Sequence, residues 1–173
     1  TPSLAITGTL SSQIKTAHTV NFDVSGMAIK NAYGTTVAQG EVYYALSKSE
    51  SSKGVSFTKF EGYNGAGSYS ITEGSVTGEY YLFIRAVNAV GVQKTVRTET
   101  PLKFDNTAPQ ITALTSENYA QYRKSHAFSL SIADNTGGSD VQTVYLYVES
   151  EDGTYKLEKH PVYVKDASGT PMT

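Results

Sequence analysis

Apolar and polar residues alternate in short runs along this chain, and the alternation has a period of two. Val20, Phe22 and Val24 are separated by Asn21, Asp23 and Ser25; Phe128, Leu130 and Ile132 are separated by Ser129 and Ser131. Such a period turns one set of side chains to a core and the other to water, the pattern of a strand covered on one face. Nowhere do apolar residues recur at helical spacing for a dozen residues, so no amphipathic helix is expected. Alternation and turn residues together predict strands near 4–10, 18–25, 41–47, 55–60, 68–72, 79–88 and 92–104. Further strands are predicted near 110–115, 127–133, 141–149, 154–158 and 161–165. Clusters such as Gly62-Tyr63-Asn64-Gly65-Ala66-Gly67 separate them. The fold class is all-β.

Two stretches of the chain run in parallel. His18 precedes the first alternating strand and His126 the second, each by two residues. A turn-rich stretch and a Tyr-rich strand then follow, Val42-Tyr43-Tyr44-Ala45-Leu46 in one copy and Val144-Tyr145-Leu146-Tyr147-Val148 in the other. A repeat of roughly 100 residues is the size of one β-sandwich domain, which puts the junction at Asp105-Asn106-Thr107-Ala108-Pro109. Pro109 imposes an extended entry and does not fit a central strand, so Asp105, Asn106, Thr107 and Pro109 read as a short linker. The expected domains are residues 1–107, a complete sandwich, and 108–173, which stops before its last two strands. Missing closing strands would leave an edge and core side chains exposed. Three readings are open: a piece of a longer protein, a shortened domain, or a strand donated by a neighbouring molecule.

Composition sharpens this picture. Thirteen Tyr and six Phe with no Trp suit pleated, half-buried surfaces. Charged residues make up 17% of the chain, and the net charge is −2 without long runs. No basic face is available for phosphates and no polybasic anchor for lipid, which argues against nucleic-acid partners and membrane insertion. The chain has no Cys, excluding disulfides and thiolate metal sites. It begins at Thr1 without an apolar leader, as expected of a mature or excised piece.

The run Gly78-Glu79-Tyr80-Tyr81-Leu82-Phe83-Ile84-Arg85-Ala86-Val87-Asn88-Ala89-Val90-Gly91 resembles the penultimate-strand motif of bacterial immunoglobulin-like repeats. In that motif a Gly is followed by Tyr alternating with apolar residues and then by Arg-Ala-x-Asp/Asn-x-x-Gly. Phe104-Asp105-Asn106-Thr107-Ala108-Pro109 is similar to the inter-domain signature of the same family, and Asp134-Asn135-Thr136-Gly137-Gly138-Ser139-Asp140-Val141 to its loop between the second and third strands. The resemblance covers most of residues 1–165. It departs at Val92, where a polar residue is common, and in the missing closing strands of the second copy. It implies tandem immunoglobulin-like, Greek-key β-sandwich domains on extracellular bacterial cell-surface proteins: adhesins, S-layer proteins or exported polysaccharide-degrading enzymes. Implied partners are neighbouring domains of a longer parent chain and a cell-wall or host glycan or protein.

Candidate chemistry is sparse. With three His and none of the zinc-protease, serine-hydrolase or phosphate-loop patterns, no catalytic site is expected. His18 and His126 read as strand-entry hydrogen-bonding residues. Asp134, Asn135 and Asp140 can offer oxygen ligands to Ca²⁺, the one cofactor the sequence admits, with Glu149, Glu151 or Asp152 adding charge, and Asp105 offers a second such site at the linker. The spacing is not that of an EF-hand, and an Asx–Gly turn explains the same residues. Tyr63, Tyr69, Tyr119 and Tyr122 fall in expected loops, where an aromatic face can meet a glycan or protein. Alternatively such rings close the ends of a sandwich, as Tyr80 would in the penultimate strand. A Lys–Asn isopeptide crosslink would need a buried Lys beside an Asn and a carboxylate. The function expected is a non-catalytic spacer of S-layer or adhesin-stalk type. The alternative is a carbohydrate- or protein-binding accessory module.

Overall fold

The computed structural model describes residues 1–116, 128–165 and 171–172. Every described element is a strand, and the chain divides into two compact units, Thr1–Asn106 and Thr107–Thr173.

The first unit holds β1 (Ser3–Thr7), β2 (His18–Ser25), β3 (Ile29–Lys30), β4 (Thr36–Ala38), β5 (Glu41–Ser47), β6 (Thr58–Lys59), β7 (Gly67–Glu73), β8 (Gly78–Val87), β9 (Gln93–Arg97) and β10 (Leu102–Phe104). One antiparallel sheet has the order β1-β2-β7; the other has the order β10-β8-β5-β6, with β9 also on β8. Along β2 burial alternates at every residue from His18 to Ser25, as its sequence predicts. Val20, Phe22 and Val24 meet Leu4 and Ile71 of their own sheet and Val42, Leu82, Ile84, Leu102 and Phe104 of the other. One apolar cluster fed by both sheets is the packing of a β-sandwich.

Besides the strands expected over 4–10 and 55–60, which are confined to Ser3–Thr7 and Thr58–Lys59, two elements differ from the sequence reading. The strand expected over 92–104 is two, because Pro101 cannot donate to a ladder and the chain turns away between Arg97 and Leu102. Fully buried Thr98 bridges the gap: its amide donates to the Leu82 carbonyl at 3.0 Å, and its hydroxyl accepts from the Leu82 amide at 3.3 Å. The second difference is the exposed β3–β4 hairpin, which the alternation did not reveal. Between β8 and β9 the Asn and Gly of the family-like motif have a visible task. The Asn88 side chain accepts the amides of Val90 and Val92, and Gly91 takes a φ of 84°.

The second unit pairs β11 (Gln110–Ser116) with β12 (Phe128–Ala133), and β13 (Thr143–Glu149) with β14 (Lys156–Lys165), which continues to β15 (Pro171–Met172). One strand replaces the two expected at 154–158 and 161–165. Pro161 lies within it, opposite Tyr145, and the β13–β14 register shifts on either side of the Tyr145–Leu146 pairs, with Lys159 at a φ of 52°. The irregularity lets a residue without an amide sit in the strand. Among the described hydrophobics of this unit Val141 and Val144 are buried. An open cleft of about 960 Å³ runs between Ile111, Leu130, Ile132, Val144, Leu146 and Val162.

Candidate functional sites

The aromatic residues proposed as ligand contacts build a corner of the first unit. Tyr69 belongs to β7 and stacks on core Phe22 with ring centroids 5.7 Å apart; Phe60 and Tyr63 pack around it at 6.0 and 5.5 Å. Its hydroxyl donates to the Gly65 carbonyl at 2.7 Å and lies 2.8 Å from the Asn64 side-chain oxygen, tying down the loop that leads into its own strand. Tyr63 accepts from the Gln39 side chain at 2.6 Å, and burial pushes its phenol pKa up. Tyr63 lies in the loop before β7, as expected, with its ring packed against the core cluster, whereas Tyr69 is turned inward because residues 69 and 71 share one face of β7 and Ile71 is in the core. Tyr80 packs edge-on to Phe104 under the ammonium of Lys48, so the residue whose hydroxyl fixes a corner is Tyr69. A shallow pocket of about 570 Å³ lies beside Tyr63, lined also by Gln39, Asn64, Lys30, Thr36 and Met27. Tyr119, Tyr122 and His126 lie outside the described residues.

In the acidic loop of the second unit, backbone amides occupy the carboxylates. Asp134 accepts the amide of Asn135 at 2.9 Å and that of Asp140 at 2.7 Å, one on each oxygen, and Asp140 accepts the amide of Val141 at 2.7 Å. These bonds close the loop on the Asp134 carboxylate, and the Gly138 amide donating to the Asn135 carbonyl at 2.9 Å makes the tight turn within it. Among the described residues no group of three or more His, Cys, Asp or Glu could hold a metal ion. Glu149 pairs instead with Lys156 at 3.0 Å. Asp152 organises the β13–β14 turn: the Ser150 and Thr154 hydroxyls donate to it at 2.6 and 2.7 Å and the Thr154 amide at 3.0 Å.

Those bonds to the charged form, Ser150 first and then Thr154, lower the Asp152 pKa from 3.8 to about 2. A lowered folded-state pKa adds stability that is complete above the ordinary carboxylate value and is lost as pH falls through the folded one. The hairpin's contribution should therefore fade between about pH 4 and pH 2. A carboxyl carbon NMR titration should place Asp152 near 2, and a midpoint close to 3.8 would show that the three donors are not engaged.

Of the residues read as strand entry and linker, His18, Asp105 and Asn106 form one seam, while Thr107 and Pro109 fall in the second unit. His18, 5% exposed, lies with Nε2 2.8 Å from the Lys103 carbonyl and its ring edge-on to Phe104 at 4.9 Å. Asp105 is buried, and its amide donates to the Lys15 carbonyl at 3.0 Å. Asn106 donates through its side chain to the carbonyls of Thr16 at 3.0 Å and Val76 at 2.7 Å, and through its amide to the Thr77 hydroxyl at 3.0 Å. Asp105 and Asn106 thus belong to the body of the first unit, and the division falls between Asn106 and Thr107.

No family model, curated protein or solved structure matches this chain.

On the outer face of the larger sheet Glu41 holds the Lys59 ammonium at 2.8 Å and accepts the Tyr43 hydroxyl. Lys59 and then Tyr43 lower the Glu41 pKa, while Glu41 raises both of theirs. Further along, Glu50 takes Arg97 at 2.7 Å and Tyr81 at 3.0 Å, and the Arg85 guanidinium lies 3.7 Å over the Phe57 ring. Phe83, on that face, is only 3% exposed. Such cation–π and ion pairs brace a surface. Sequence reasoning missed them, although period-two alternation places residues 81, 83 and 85 on one face. Among the described residues no Lys is buried, the condition an isopeptide crosslink requires.

Proposed function

We propose that this chain is a pair of immunoglobulin-like modules acting as a non-catalytic spacer within an extracellular bacterial surface protein. The observation behind this reading is where the reactive side chains go. His18 lies on a backbone carbonyl, Asp134 and Asp152 accept backbone amides, and the Tyr69 hydroxyl closes a loop. Among the described residues these four side chains are engaged in holding the backbone. The strand orders β1-β2-β7 and β10-β8-β5-β6 support the immunoglobulin-like assignment, since β2 to β5 and β7 to β8 both change sheet, as in a Greek-key sandwich. The parallel His-strand-Tyr stretches around 18–46 and 126–148 support a second, related module.

A second reading, a glycan- or protein-binding accessory module, is favoured by the pocket beside Tyr63, where an aromatic ring lies among the polar groups of Gln39, Asn64 and Thr36. A glycan array together with a calorimetric melt in millimolar Ca²⁺ separates these readings. The spacer predicts no saturable sugar binding and no Ca²⁺-dependent rise of the second unit's transition. Binding abolished by Tyr63→Ala would replace the spacer with the accessory module, and a Ca²⁺-dependent rise would make the Asp134–Asp140 loop a metal site.

A further inference from the structure

The chain enters and leaves the first unit at opposite ends of β2. Thr1 and Pro2 lie against Gly26, just beyond the Ser25 end, whereas Asn106 lies on Thr16 and Val76, next to the His18 end. Eight strand residues separate those ends, about 26 Å at the usual rise. Tension reaching the unit through its two ends therefore acts along the strand direction.

One pairing is placed to meet that tension. Lys15 and Phe104 form a parallel β-bridge, whereas the pairings between named strands are antiparallel. Once β1 has parted from β2, pulling on Thr1 draws the Lys15 segment towards its N-terminal side, and pulling on Asn106 draws β10 towards its C-terminal side. Parallel neighbours drawn in those senses slide lengthwise, so their cross-links stretch together; a hairpin pulled at its open end loses them one at a time. The cross-links here are dense. Lys15 donates to the Lys103 carbonyl at 3.1 Å, Asp105 donates to the Lys15 carbonyl at 3.0 Å, and His18 lies on that same Lys103 carbonyl. Asn106 adds its bonds to Thr16, Val76 and Thr77.

We propose that the first unit bears tension, and that the seam of Lys15, His18, Lys103, Asp105 and Asn106 is the shear clamp that sets its resistance. The direction of load rests on the spacer reading, in which neighbours hold the module at both ends. The parallel bridge and its hydrogen bonds are the observations the clamp rests on.

Single-molecule force spectroscopy on the full chain, held through its two termini, tests the proposal. Asn106→Ala removes two side-chain bonds of the clamp, and Lys15→Pro removes the amide that donates to Lys103. Each variant should unfold the first unit at least about tenfold faster than wild type at constant force, since forced unfolding follows the unfolding rate and each lost bond lowers the barrier. Ile84→Val, a core change outside the seam, should lower the melting temperature by a similar amount and change the rate under load by less than about threefold. If Lys15→Pro fails to fold, Asn106→Ala alone decides. Wild-type rates in the seam variants, or an equal acceleration in Ile84→Val, would overturn the clamp. Saturable glycan binding would instead overturn the spacer reading and leave these rates as they are.

Discussion

Phe22→Ala should lower the melting temperature of the first unit by roughly 15 °C or more in differential scanning calorimetry of the whole chain. Phe22 is fully buried at the middle of β2, stacked on Tyr69 and edge-on to Phe60 at 5.8 Å, within the cluster shared by both sheets. Deleting a buried Phe ring removes its transfer free energy and leaves a cavity, together costing about 3–5 kcal/mol. A domain of this size loses about 4–8 °C per kcal/mol, and its total stability is only about 5–15 kcal/mol. The loss should extend beyond the core, because Tyr69 holds the 64–65 loop only while its ring is seated on Phe22. The amides of that loop should therefore exchange faster with solvent in the variant than in wild type. A shift under about 5 °C would mean that the two sheets do not enclose this ring.

Phe22 also shows what the chain makes legible. Its strand runs from His18 to Ser25, the bounds that alternation predicts, because one face is on a core and the other in water; β5 runs from Glu41 to Ser47, the bounds expected of its Tyr-rich run, although none of its residues is exposed. The same rule, applied to Tyr69 and Ile71, puts the Tyr ring inward, so the signal against a loop site was present in the sequence. The β3–β4 hairpin was harder to see, since two or three exposed residues per strand are too few to show a period. Its cue is local: the Asn31 side chain accepts the amides of Tyr33 and Thr35. The seam at Asn106 left no local mark, for its bonds reach residues 90 and 30 positions away. Asp105-Asn106 reads as linker because the sequence displays turn chemistry and conceals the partner.

Close approaches of backbone are equally hidden, and Gly40 carries the second large effect. It sits one residue before β5, where Glu41 pairs with Val87, and its amide donates to the Met27 carbonyl at 3.1 Å. The amide of Ala89 bonds the same carbonyl at 3.0 Å, so three backbone segments converge at this point. A Cβ on residue 40 would run into the Val87 carbonyl oxygen and the Cα of Asn88, neither of which can turn aside as a side chain would. Gly40→Ala should therefore cost about 3 kcal/mol, the upper end of ordinary overpacking, and lower the first unit's melting temperature by roughly 12 °C or more. Gly34 supplies the contrast: its φ is 79°, yet nothing lies within 4 Å of an added Cβ. Gly34→Ala should cost only the backbone strain, about 1–2 kcal/mol. If Gly34→Ala proved the more damaging in urea unfolding, conformational strain rather than contact would govern these turns. The expected order, Gly40→Ala well below Gly34→Ala in stability, follows because a blocked ladder separates β5 from β8, whereas a strained exposed turn disturbs only its own hairpin.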